Sequence, residues 1–86
     1  MKIVFHKNFE KRYLKLSKPL KLKIKENNIL FAQDPYHPTL NNHPLNGKYL
    51  GYRSINVTGD LRIIYKLLNN EVVLFSEIGS HALLYR

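Results

Sequence analysis

Eighty-six residues, 44% apolar and 12% aromatic, suffice for one domain with a modest core and exclude the composition of a disordered chain. Fourteen Lys and Arg against six Asp and Glu leave a formal charge of +8, which favours a polyanionic partner, either nucleic acid or an acidic protein. The absence of cysteine excludes disulfides, thiolate metal sites and cysteine nucleophiles, and no apolar run approaches the roughly 20 residues that span a bilayer, so the expectation is a cytoplasmic protein with no membrane partner.

Residues 3–5, Ile-Val-Phe, predict a short first strand, and charge follows too soon for the apolar core of a signal peptide. Asn8 is a good N-cap, and Phe9, Tyr13 and Leu16 fall on one face of a helix whose other face carries Lys11, Arg12 and Lys15. Ser17 to Pro19 interrupt it. Leu20, Leu22 and Ile24 alternate with lysines as in a half-exposed strand, yet Pro19 suits a first helical turn, and the stretch to Asp34 is too long for a usual strand. A second helix is therefore predicted. Residues 34–46 hold three of the four prolines and read as a long loop of the kind that often carries function.

Three strand-like runs follow, residues 49–57, 61–68 and 72–78, joined by Thr58-Gly59-Asp60 and Asn69-Asn70. The middle run is apolar on both faces and belongs in the centre of an antiparallel meander. The fold expected is α+β, two basic helices packed on a twisted, mainly antiparallel four-stranded sheet, as a single domain over 1–86 that closes with a tail from Gly79.

Such a meander would gather His43, Arg53, Asp60, Arg62 and His81 on one exposed face. RNA is cut without metal when the 2′-hydroxyl attacks its own phosphate, given a base for that hydroxyl, an acid for the departing 5′ oxygen and cations around the phosphate. An imidazole exchanges protons close to neutrality, a guanidinium forks onto two phosphate oxygens, and Tyr49 and Tyr85 offer stacking surfaces for an unpaired base. Each residue also has a structural reading. His43 precedes Pro44 and can shape the loop, His81 can close the sheet, Asp60 follows Gly59 in a turn, and Arg53 and Arg62 can be solvated strand charges. The lysines between Lys7 and Lys25 suit a soluble or protein-docking face. His37 and His43, six apart and without a second pair of ligands, do not make a metal site, and no cofactor is expected.

Taken in order, His43-Pro44-Leu45-Asn46-Gly47, Gly51-Tyr52-Arg53, Asp60, Ile64-Tyr65-Lys66 and Gly79-Ser80-His81-Ala82-Leu83-Leu84-Tyr85 closely resemble the YafQ branch of the RelE/ParE toxin superfamily. The N-terminal half matches only in layout. The resemblance implies a RelE-like toxin, a monomer when alone, silenced by an acidic antitoxin, that enters the ribosomal A site among rRNA and cleaves mRNA. It implies catalytic roles for His43, Asp60, His81 and Arg53, with His81 as general acid, and a substrate contact from Tyr85; Lys48, Asn56 and Arg62 are expected to contact substrate beside it. Three positions depart from the branch: Asn56 replaces a second histidine, Leu61 a tryptophan, and Glu77 an arginine. A carboxylate repels a pentacovalent phosphate, so activity then depends on Arg62 or Lys48 supplying the cation. Two other readings stay open, a non-cleaving module that binds antitoxin or RNA, and a ParE-like gyrase poison.

Overall fold

The computed structural model describes residues 1–85; Arg86 of the expected tail lies outside the described residues. Strand β1 (Lys2–Phe5) leads into helices α1 (Lys7–Leu14) and α2 (Lys18–Gln33), then come β2 (His43–Pro44), β3 (Arg53–Asn56), β4 (Leu61–Leu67), β5 (Val72–Ser80) and a terminal α3 (His81–Leu84). The sheet is five-stranded in the order β1-β5-β4-β3-β2, with β1 parallel to β5 and every other pair antiparallel. It therefore has one strand more than expected. The addition is β2, where two residues of the Pro-rich loop pair with Ser54 and Arg53; a strand that short lies below what side-chain periodicity can signal.

Helix α1 begins one residue ahead of the predicted cap. The backbone N–H of His6 is held by the Phe75 carbonyl at 3.0 Å, and the His6 imidazole accepts the Asn8 N–H at 3.0 Å, so His6 takes the capping role that the sequence assigns to Asn8. Ser17 caps α2, with Pro19 in the first turn, as the sequence predicts. The long loop contains a 3-10 turn at Pro38–Leu40, and a second one at Gly47–Tyr49 reaches into the segment predicted as strand. Gly51, at φ 91°, follows that turn in a conformation that side chains rarely adopt, so β3 cannot begin before it.

The main core lies between α1, α2 and one face of the sheet, built on Phe9, Ile24, Phe31, Ile55, Ile63 and Phe75. In β5, Val73, Phe75 and Ile78 all enter this core although the last step is odd. A bulge allows it: Tyr65 pairs with Phe75 while the preceding Ile64 pairs with Glu77, leaving Ser76 as the extra residue. The bulge also turns Glu77 onto the opposite face, alongside Ile64.

Candidate active site

That opposite face carries most of the candidate site residues. His43 pairs with Ser54, Ser54 with Ile64, and Asn56 with Arg62, so strand alternation sends all five side chains away from α1 and α2. Helix α3 lies on the same face. Ser80 Oγ accepts the Leu83 N–H at 3.1 Å, and buried Leu84 joins Leu45 and Ile64 in a second small core bordered by Tyr49, Tyr52 and Tyr85. Gly79 makes the approach possible, because a Cβ there would stand 3.1 Å from Leu83 Cδ2 and from an Arg12 guanidinium nitrogen, and 3.4 Å from Leu84 Cδ2.

A cleft of about 450 Å³ opens between α3 and the loop, lined by Asn41, His43, Pro44, Leu45, Asn46, Arg62, His81 and Tyr85. The His43 Nδ1 lies 2.7 Å from the Asn41 carbonyl oxygen. A carbonyl cannot donate, so Nδ1 carries a hydrogen, and whenever the ring is neutral its lone pair lies on Nε2. Asn41 aims that carbonyl from a left-handed conformation, φ 46° and ψ 49°, which asparagine tolerates better than most residues. Across the cleft, the His81 ring packs against Tyr85 with centroids 4.6 Å apart, and Tyr85 meets Tyr49 edge to face at 6.1 Å. Arg62 is the cleft's cation, its Nη1 donating to Asn56 Oδ1 at 2.5 Å. Asn56 is held in turn through its own carbonyl, which accepts from Asn27 Nδ2.

Asp60 adjoins the site in another capacity. Its backbone carbonyl and Oδ1 both accept the His81 backbone N–H, at 3.2 and 3.3 Å, so the carboxylate fastens the start of α3. Lys48 stands over the Tyr49 ring at 5.2 Å. Burial, followed by the negative charge of Glu77, pushes the Tyr49 phenol up, which keeps its hydroxyl protonated and able to donate. Glu77 itself lies outside the cleft lining, in a recess with Asn8, Lys11, Arg12 and Lys15, where its Oε1 accepts from Asn8 Nδ2 at 3.4 Å.

Arg53 is not brought to the cleft. It pairs with Tyr65, whose side chain belongs to the helix-covered core, and its Nε donates to Asn42 Oδ1 at 2.7 Å beneath the Tyr36 ring. The reason is parity: Arg53 precedes Ser54 by one residue and so points to the other face. Asn41 and Asn42 escaped the sequence reading; the only signal is an Asn-Asn pair immediately before His43, in a segment already marked as loop.

The whole chain, residues 1–86, matches the family described as bacterial toxin of type II toxin-antitoxin system, YafQ. No curated protein sequence matches it. Among solved structures, YafQ from Escherichia coli strain BL21(DE3) is similar at 28% identity and a TM-score of 0.80, covering 98% of this chain and 97% of that one. The E. coli DinJ-YafQ toxin-antitoxin complex gives 29% identity and 0.77, covering 98% and 96%. A YoeB/ParE toxin from Agrobacterium tumefaciens shares the fold at 20% identity and 0.78, covering 94% and 99%. A five-stranded α+β sheet, a cleft between the His43 loop and α3, and a family match from end to end agree, and the chain belongs to the YafQ family of type II toxin-antitoxin toxins.

Proposed function

We propose that this toxin cleaves mRNA by metal-independent transesterification in the ribosomal A site, and that an acidic antitoxin silences it. The observation that carries the reading is the pairing of His43 and His81 in one cleft with Arg62, the Asn41 carbonyl meeting His43 Nδ1 and so favouring the tautomer whose acceptor nitrogen is Nε2. His43 takes the proton from the 2′-hydroxyl as its oxygen attacks phosphorus. The bond from phosphorus to the 5′ oxygen breaks, and protonated His81 supplies that oxygen's hydrogen, leaving a 2′,3′-cyclic phosphate and a 5′-hydroxyl. Arg62 faces the phosphate oxygens and Tyr85 stacks on a flanking base. Glu77 is no obstacle in this arrangement, because it stands outside the cleft lining among α1 cations. The helical lysines supply the attraction to ribosomal RNA, and the antitoxin partner follows from the relatives solved in complex with theirs.

Expression without antitoxin should arrest growth, and purified toxin should cut ribosome-bound mRNA at discrete positions. His81→Ala should lower cleavage by about a hundred- to ten-thousand-fold, the usual contribution of a positioned acid or base. Intact mRNA despite measurable ribosome binding would make the chain a binding module instead.

A further inference from the structure

Arg53 occupies a position that the family resemblance makes catalytic, yet its guanidinium lies on the face turned away from the cleft. What it touches there is informative. The Asn42 side chain is engaged at both ends: Nδ2 donates to the Pro35 carbonyl at 2.9 Å and to the Tyr65 hydroxyl at 2.7 Å, and Oδ1 accepts from Arg53 Nε at 2.7 Å. Tyr65 is buried in a central strand, so the bonds from Tyr65 and Arg53 tie one loop residue to the rigid sheet. Asn42 stands between Asn41, whose left-handed backbone aims a carbonyl, and His43, whose Nδ1 that carbonyl meets.

Resting on the cleavage reading above, we infer that Arg53 is a positioning residue: through Asn42 it holds, from the reverse face of the sheet, the loop geometry that fixes the tautomer of His43. When this latch is removed, the Asn41 backbone relaxes from its sparsely populated conformation, and the imidazole is released to the tautomer that protonates Nε2 and blocks the base. Arginine is used for its Nε–H rather than for its charge.

Two variants separate these roles. Arg53→Gln places an N–H donor at the same number of bonds from the backbone without the charge, and Arg53→Met keeps the length without the donor. Nitrogen-15 spectroscopy of the imidazoles, with His43 assigned from a His43→Gln sample, reads the tautomer independently of activity. The wild type and Arg53→Gln should both show Nδ1–H. Arg53→Met should show a mixture, and kcat on ribosome-bound mRNA should fall about ten- to hundred-fold with KM changed less than about twofold. Equal losses in Gln and Met, or a wild-type His43 protonated on Nε2, would overturn the inference. If the tautomer responds as stated but neither the variants nor the wild type cut mRNA, the latch stands and the cleavage reading fails. Active enzyme whose tautomer ignores both substitutions removes the latch and leaves the cleavage reading in place.

Discussion

Ser54 sits beneath the cleft with its hydroxyl fully buried and without a hydrogen-bond partner among the described residues. A desolvated hydroxyl left unpaired destabilises, so Ser54→Ala should hold stability level or raise it by up to about 1 kcal/mol in a urea titration. A clear loss would show that the hydroxyl is used. Tyr65 gives a sign that can be checked with pH. Burial raises its phenol above the ordinary 10.0, outweighing the opposing effects of Asn42 and Arg53. The folded state therefore favours the protonated form, and the associated stability is present below about pH 10 and lost as pH climbs past it. Tyr65→Phe should lose about 1 kcal/mol at neutral pH with the Asn42 bond, yet show a shallower decline between about pH 9 and 11 than the wild type. At this scale the sequence reveals residue types better than directions. His43, Arg62 and His81 are identifiable in it, whereas Arg53 is expected on the wrong face because a two-residue strand settles the register against which its parity is counted.

Helix α3 shows how little material secures one wall of the cleft. It has four residues, far below what is stable in isolation, and it stays in place through Leu84, the Asp60 carboxylate and the room left at Gly79. Leu84→Ala should cost about 2–4 kcal/mol, a fall in Tm of roughly 10 °C or more for a chain this size, and should loosen His81 and Tyr85 together. Melting curves and His81–Tyr85 NMR contacts would test this; an unchanged Tm would mean that α3 is held by something else. The larger elements are legible because their signals are long: α2 carries a cap, a first-turn proline and sixteen residues, and β4 is apolar on both faces. The bulge in β5 and the 3-10 turn before β3 are not legible, since both interrupt a pattern for a single residue or a single turn.

Across the whole molecule, most of the Lys and Arg stand apart from the lining of the candidate cleft. Nine of the fourteen Lys and Arg lie within the first 25 residues, while the cleft lining includes Arg62 as its one Lys or Arg among the described residues. Capture and cutting should then respond differently to salt. If three helical cations engage phosphates, the logarithm of affinity for a single-stranded RNA should fall against log salt with a slope of about −2, roughly −0.7 per contact. The cleavage rate of saturated complex should barely move, and a salt-independent affinity would contradict the assignment. The sheet also joins distant parts of the chain: Lys2 pairs with Val72 across most of its length, so the sheet cannot be completed before β5 exists. His81 and Tyr85 come later still. A chain stopped short of β5 would therefore leave β1 without its partner and the cleft without its His81 and Tyr85 side.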